Sequence, residues 1–266
     1  MIEFVIDRQA MDIVSELLSY QPSIIGFGVY IWNTEQTEKV VAILKTLRPD
    51  IVIVLGGPEV SFEYDSQSIV AHADYVITGQ ADLVFADLCS QLLSDHAPHE
   101  KIIAASPPPL AELKLPYANY SEEDIAHRVI YVEASRGCPF KCEFCLSSLD
   151  KTAVAFDTTA FLAAMLALIQ RGARRFKFVD RTFNLKIETS VRIMEFFLRH
   201  MDKGLFLHFE LIPDRLPDAI KQLVARFPAG SLQFEIGIQT FNANVQNIIS
   251  RRQQDSAVKE NLRWLR

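Results

Sequence analysis

The sequence predicts an α/β protein: a doubly wound, Rossmann-like parallel sheet followed by a partial β/α barrel of the TIM type. In the first part of the chain, short β-branched runs alternate with amphipathic segments, and this order is typical of a parallel sheet. In the last part the alternation resumes with longer units. A proline-rich stretch between them can continue neither a helix nor a central strand. We therefore predict domains at 1–95 and 128–266, joined by a linker at 96–127.

The elements of the first domain follow from residue pattern and length. Runs rich in Ile and Val predict strands, and apolar residues at helical spacing predict helices. The predicted strands are 2–6, 23–29, 51–55 and 74–78, and the predicted helices are 9–20, 35–47 and 82–93. The first of the expected strands of such a sheet is predicted to be missing from this domain.

The elements of the second domain are four β/α units, fewer than a full barrel needs. The predicted strands are 129–134, 175–180, 205–211 and 231–238, and the predicted helices are 158–171, 187–200, 217–226 and a tail from 242. Functional groups of a β/α barrel lie at the carboxyl ends of its strands. We therefore expect the active groups to follow these four strands, and the barrel to be incomplete at its carboxyl terminus.

The most informative motif follows the first strand of the second domain. Of the four cysteines in the chain, Cys138, Cys142 and Cys145 fall within eight residues, in a C-x3-C-x2-C loop. Clustered cysteines outside a secreted context indicate metal binding rather than disulfides. A cubane iron-sulfur cluster usually takes four cysteines, so three thiolates leave one iron open to a ligand. A zinc site is the alternative, but zinc wants four ligands and usually paired C-x2-C units.

The fourth cysteine, Cys89, is predicted to be a core residue rather than a fourth ligand. It lies on the apolar stripe of the predicted helix 82–93.

Strand alternation predicts a polar interior for the barrel. Gln233, Glu235, Gly237 and Gln239 share one strand face, and apolar residues occupy the other. The same alternation puts His208 and Glu210 together on the preceding strand. A polar interior suits a barrel that holds a polar ligand. The alternative is a strand with one solvated face.

Glycine loops follow two strands of the first domain, at Gly56, Gly57, Pro58 and Glu59 and at Gly79. Glycines at the carboxyl edge of a parallel sheet let the backbone approach a bulky ligand. The alternative is that both are ordinary turns. The chain has no complete dinucleotide-binding glycine fingerprint, which argues against NAD.

Composition limits the function classes. The net charge of −6 argues against a general binder of nucleic acid. No apolar run approaches a membrane span and the amino terminus is not a signal peptide, so we expect a cytoplasmic protein that is not bound to membranes.

These motifs together resemble the radical S-adenosylmethionine (radical SAM) superfamily, and within it the proteins with an amino-terminal cobalamin-binding domain. The similarity rests on the cysteine loop and on the segments 178–183, 210–214 and 235–242, and it covers nearly the whole chain. It implies that Cys138, Cys142 and Cys145 hold a [4Fe-4S] cluster and that SAM chelates the fourth iron. It also implies that Phe144, Asp180, Glu210 and Gln239 contact SAM, with Phe144 beside the adenine.

The same resemblance implies that Gly56, Gly57, Pro58, Glu59 and Gly79 surround cobalamin. The implied activity is reductive cleavage of SAM to a 5′-deoxyadenosyl radical, with cobalamin-dependent methyl transfer as the leading reaction. An electron donor such as a flavodoxin or ferredoxin is the implied partner. Alternatives are an iron-sulfur or cobalamin-binding module without turnover, and a methylthiotransferase, which would need a second cluster.

Two departures from the resembled proteins stand out. The chain has no Asp-x-His-x-x-Gly motif, so cobalamin would bind without a protein imidazole on cobalt. The chain is also short at both ends, and we expect a fragment or a shortened gene product.

Overall fold

The computed structural model describes residues 2–94, 96–149 and 152–266 and divides the chain into two compact units, Met1–Pro109 and Leu110–Arg266. Within the described ranges, no helix is both long enough and apolar enough to cross a membrane.

The first unit is built on a four-stranded parallel sheet in the order β1-β2-β3-β4. Its strands are β1 (Ile24–Gly28), β2 (Val52–Gly56), β3 (Tyr75–Gly79) and β4 (Ile102–Ala105), and its helices are α1 (Ala10–Ser19), α2 (Thr34–Leu47), α3 (Ser68–His72) and α4 (Asp82–Leu93).

Helices cover both faces of this sheet. On β2, Ile53 and Leu55 belong to a core cluster that also contains residues of α1, α2 and α3. Val54 points the other way and shares a second cluster with Leu88 of α4. Successive side chains of a strand point to opposite faces, so helices must lie on both sides of the sheet. The prediction of a doubly wound parallel sheet is confirmed.

The predicted strand at 2–6 is wrong. The structure forms no strand there, and Val5 and Ile6 are 68% and 58% exposed. β-branched residues favour strands because they pack on a half-buried pleated surface, but in this run only Phe4 packs against the core, and none of residues 2–6 pairs with a strand. The segment 96–127, predicted as a linker, contains strand β4 and helix α5 (Glu122–His127). Strand β4 pairs with β3 only, and neighbouring prolines are compatible with such an edge position.

The second unit is built on another four-stranded parallel sheet, in the order β10-β9-β8-β5. A short antiparallel pair, β6 with β7, follows β5 in the chain and precedes the first long helix of this unit. The strands are β5 (Ile130–Val132), β6 (Ser135–Arg136), β7 (Val154–Ala155), β8 (Arg175–Phe178), β9 (Phe206–Leu211) and β10 (Leu232–Ile236). The helices after α5 are α6 (Thr158–Gln170), α7 (Ile187–Leu198), α8 (Asp218–Val224), α9 (Ala243–Ile248) and α10 (Asp255–Leu265).

One face of this sheet is apolar and packs against the helices, around Phe178. The Phe178 ring centroid lies 4.5 Å from that of Phe209, 5.3 Å from Phe183, 5.8 Å from Phe197 and 6.0 Å from Phe161. All five rings are buried. Aromatic contacts add to the free energy gained by burying large apolar side chains, so this cluster holds β8 and β9 to α6 and α7.

The opposite face carries polar side chains, as the alternation predicts. Lys177, His208 and Glu235 come from three adjacent strands, and Glu235 Oε2 lies 3.3 Å from Lys177 Nζ and 3.4 Å from His208 Nε2. Burial and the nearby lysine lower the pKa of His208, and Glu235 opposes this shift.

The aromatic cluster generates a stability prediction. Replacing Phe178 by alanine should lower the free energy of unfolding by about 3–5 kcal/mol, because the change leaves a cavity among four rings. Phe62→Ala is the control, since that ring is 47% exposed. Denaturant unfolding of both variants checks the difference, and similar losses in both would contradict this account of the core.

Candidate functional site

The cysteine loop leaves the sheet after β5 and is closed by the β6–β7 pair. Cys138 and Cys142 are buried, Cys145 is half-buried, and all the described cysteines are free thiols. The Cys145 amide donates to the Cys142 carbonyl at 3.1 Å, which closes the C-x2-C turn. Gly137 has φ +91°, and a Cβ there would lie 2.3 Å from the Thr152 carbonyl oxygen. Only glycine fits this entry to the loop.

The three thiols form a donor set whose chemistry suits an iron-sulfur cluster. Burial raises the pKa of Cys138, and Cys145 and Cys142 raise it further, which means that the three sulfurs are near enough to interact. In the described part of the chain, no three His, Cys, Asp or Glu side chains surround a common point as ligands of one metal ion would.

Three charged side chains contact the cysteine loop. Each of them lies in the chain that follows one of the strands β8, β9 and β10. Asp180 follows β8 and binds the start of the loop. Arg215 follows β9, and its guanidinium carbon lies 5.8 Å from the centre of the Phe140 ring. Arg251 follows β10 and α9, and its Nη1 lies 3.6 Å from Cys142 Sγ. The carboxyl ends of parallel strands meet at one edge, so all three side chains reach the same loop.

Asp180 is buried and uses both carboxylate oxygens within the chain. One oxygen accepts from the Ala134 amide at 3.0 Å, and the other accepts from the Ser135 hydroxyl at 2.6 Å. Burial raises its pKa to about 6, although both hydrogen bonds favour the charged form. These contacts tie β8 to the strand that enters the cysteine loop, and the assignment of Asp180 as a SAM contact stays a prediction.

Glu210 and Gln239, two further predicted SAM contacts, lie at the carboxyl ends of β9 and β10. Burial raises the pKa of the half-buried Glu210, and Arg181 opposes the shift with its Nη1 at 3.4 Å. Gln239 is exposed and has φ +68°. A left-handed residue other than glycine costs about 1–3 kcal/mol and is concentrated at functional sites. Glu210 and Gln239 thus place a carboxylate and an amide at the carboxyl edge of the sheet, where the cysteine loop also begins.

Phe144, predicted to lie beside the adenine, is 53% exposed between Cys142 and Cys145. Its backbone position is set by Glu143, whose amide donates to the Ile249 carbonyl at 3.1 Å. An exposed ring on an anchored loop offers an apolar surface to a flat ligand.

The predicted cobalamin residues lie at the carboxyl edge of the first unit. Gly57 and Gly79 have φ +108° and +79°, and a Cβ at Gly57 would lie 2.5 Å from the Val29 carbonyl oxygen. The two loops are joined, since the Gly79 amide donates to the Ser61 hydroxyl at 3.1 Å. Gly56, Pro58 and Glu59 are half-buried in the same turn. The close backbone approach at Gly57 is to Val29, which explains this glycine by internal packing.

Sequence reasoning missed several residues of these two edges. Arg251 and Arg215 look like ordinary surface arginines in the sequence, and their neighbours carry no motif. Tyr30 and Trp32 stack at the carboxyl edge of the first unit, with ring centroids 4.7 Å apart, and Trp32 is 63% exposed. The signal for this pair was present, because three large apolar residues in a row follow β1.

Comparisons with known proteins agree with this fold. Residues 132–266 match the Radical SAM superfamily and residues 4–89 match the B12 binding domain. The chain therefore belongs to the radical SAM superfamily, and its first unit contains a B12 binding domain.

Relatives of known name cover parts of the chain. The cobalamin-dependent radical SAM methyltransferase TokK of Streptomyces tokunonensis is 24% identical over 151 residues, which are 47% of this chain and 22% of TokK. An uncharacterised methyltransferase of Pyrococcus horikoshii is 25% identical over 217 residues, 71% of this chain and 47% of that protein. The chain thus spans from about a fifth to about half the length of these relatives.

The fold is also that of a solved structure, the radical SAM methyltransferase TsrM of Kitasatospora setae with tryptophan and a SAM analogue bound. The TM-score is 0.73 at 12% identity, and the match covers 97% of this chain and 57% of TsrM. The prediction of a Rossmann-like domain followed by a β/α radical SAM domain is confirmed.

The cysteine loop passes a further test of fit to an iron-sulfur cluster. Arg251 Nε is buried without a hydrogen-bond partner in the described residues, and the same guanidinium contacts Cys142. A buried donor without an acceptor is costly, so a bound group that supplies an acceptor is favoured here. Thiolates and a neighbouring cation suit an anionic cluster.

Asp180 generates a pH prediction. Its folded pKa of about 6 lies above the ordinary 3.8, so folded protein binds the proton more tightly. Through this group alone, stability is highest below about pH 4 and falls by about 3 kcal/mol as the pH rises above about 6. Asp180→Asn removes this term, so its unfolding free energy should rise relative to wild type between about pH 4 and pH 7. Asp87→Asn, at an exposed carboxylate, is the control. Equal pH profiles for wild type and Asp180→Asn would contradict the prediction.

Proposed function

We propose that this chain acts as a cobalamin-dependent radical SAM enzyme, with methyl transfer as its reaction. The observation that carries the proposal is the cysteine loop, in which two buried thiols and one half-buried thiol are held at the carboxyl edge of a parallel β/α sheet. Membership of the radical SAM superfamily and the presence of a B12 binding domain support the same reading. Methyl transfer is supported by the names of the relatives, several of which are methyltransferases.

Cys138, Cys142 and Cys145 would hold a [4Fe-4S] cluster and leave one iron for SAM. When bound, the cluster supplies the electron that cleaves SAM to methionine and a 5′-deoxyadenosyl radical. The role of the protein itself is to hold the thiols in place and to limit the access of water to them. Burial of Cys138 and Cys142 serves both purposes.

Phe144, Glu210 and Gln239 are the residues we assign to SAM. The Phe144 ring offers an exposed apolar face for the adenine, and the Glu210 carboxylate can accept from the amino group. The Gln239 amide can donate to and accept from ribose hydroxyls. Asp180 would support SAM indirectly, because its oxygens are engaged by the strand entering the loop.

The first unit would bind cobalamin at its carboxyl edge, around Gly56, Gly57, Pro58, Glu59 and Gly79. Glycine turns leave the backbone open to a large ring system, and the exposed Tyr30–Trp32 stack adds a flat apolar surface beside β1. The sequence has no Asp-x-His-x-x-Gly motif, so the cobalt would have no protein imidazole.

Two alternatives are less well supported. A methylthiotransferase would need ligands for a second cluster, and only Cys89 remains among the cysteines. Cys89 lies on α4 of the first unit, and burial raises the pKa of its thiol, which disfavours the thiolate that iron requires. A binding module without turnover would bind the cluster but would not cleave SAM.

The reaction implies a substrate and a reductant. We propose a small flavodoxin-like or ferredoxin-like protein as the electron donor, because cleavage of SAM needs a single electron at low potential. We also propose a cytoplasmic location, because cluster ligands must stay reduced.

The ligand set is tested by two cysteine variants. Cys142→Ala should abolish the visible absorbance of a reconstituted cluster, because it removes one of only three ligands. Cys89→Ala is the matched control and should leave the absorbance unchanged. Equal loss in both variants would contradict the three-cysteine assignment.

The reaction is tested by anaerobic reconstitution followed by SAM and a strong reductant, with and without hydroxocobalamin. We expect 5′-deoxyadenosine, detected by chromatography, or methyl transfer from SAM to added cobalamin, seen as a change in the cobalamin spectrum. A loaded cluster that gives neither product would favour the binding module.

A further inference from the structure

The cysteine loop contacts a segment that lies more than 100 positions later in the sequence. This contact is made by the segment Ile249–Arg251, which we call the latch. The Glu143 amide donates to the Ile249 carbonyl at 3.1 Å, and the Ser250 hydroxyl donates to the Glu143 carboxylate at 2.8 Å. Arg251 Nη1 lies 3.6 Å from Cys142 Sγ, and Nη2 donates to the Gly237 carbonyl. The latch thus joins the middle of the cysteine loop to the end of β10.

The turn that forms the latch ends helix α9 in a left-handed conformation. Helix α9 ends at Ile248, and Ser250 follows with φ +53°. The Arg251 amide then donates back to the Gln246 carbonyl at 2.8 Å, so the turn is closed by a hydrogen bond. The Ser250 amide also donates to the Asn247 carbonyl at 3.3 Å, so this is an ordinary left-handed helix end, and it places Ser250 and Arg251 beside the cysteine loop.

The charge of Arg251 is directed at the sulfurs. Its Nη1 lies 3.6 Å from Cys142 Sγ, so its positive charge stands beside a proposed cluster ligand. Hydrogen bonds and positive charge near cluster sulfurs stabilise the more negative, reduced state and so raise the reduction potential.

We propose that the latch holds the cysteine loop ready for iron, and that Arg251 is a positioning residue that donates to the Cys142 thiolate when this sulfur is a cluster ligand. The second half of this inference rests on the proposed function, because it needs a cluster on Cys142. The first half concerns the chain without a cluster.

Hydrogen exchange of the cluster-free protein tests the first half. In Arg251→Gln, amide exchange across residues 138–146 should be about tenfold faster than in wild type, because a charged contact to the loop is lost. Arg251→Lys should fall between the two. Arg252→Gln is the matched control, since Arg252 is exposed and adjacent. Exchange that is unchanged in Arg251→Gln, in protein with a wild-type circular dichroism spectrum, would overturn the latch.

Redox titration of the reconstituted protein, followed by electron paramagnetic resonance, tests the second half. Arg251→Gln should shift the cluster midpoint potential to a more negative value, Arg251→Lys should restore part of the shift, and Arg252→Gln should match wild type. SAM affinity is measured in parallel. A fall in SAM affinity with an unchanged midpoint potential would overturn the contact to the thiolate, because Arg251 would then act on SAM.

The two experiments separate this inference from the proposed function. Failure of wild type and Arg252→Gln to load any cluster would contradict the proposed function and overturn the thiolate contact. The exchange measurement uses no iron and would still decide whether the latch holds the loop.

Discussion

The site in the second unit depends on the parallel pairing of β5, β8, β9 and β10. Parallel strands place all their carboxyl ends at one edge, and each connection that leaves this edge can reach the same space. The cysteine loop leaves from β5, and the three following strands each send one charged side chain back to it. A small loop with little core of its own is thereby held by residues that are 45 to 109 positions away in the sequence.

Much of the fold followed from the sequence, since the β-branched run at 51–55 and the polar–apolar alternation at 175–180 and 205–211 are strong strand signals. The run 2–6 was wrongly predicted as a strand because its composition suits one. No strand lies beside it in the structure, and the pairing of strands cannot be read from the local sequence. The edge strand β4 was obscured by the prolines on either side of it. Local pattern predicts elements well where burial and propensity agree, and poorly at sheet edges.

The candidate site was predictable only in part, for a related reason. Cys138, Cys142 and Cys145 are close in sequence, so their spacing alone indicates a shared ligand. Asp180 was found by its place at a strand end, but its burial and its bond to the Ala134 amide depend on the pairing of β5 with β8. Arg251 had no signal, because its role comes from a turn after α9 that brings it near Cys142 in space.

The antiparallel β6–β7 pair has a consequence for how such a protein responds to oxidative loss of its cluster. This short ladder and side-chain contacts hold the loop, and none of residues 137–146 belongs to the buried core around Phe178. Air oxidation that destroys a cluster would therefore affect the cysteine loop and leave the fold of the second unit intact. Protein stripped by oxygen should be repairable by reduction and fresh iron and sulfide, without passing through an unfolded chain.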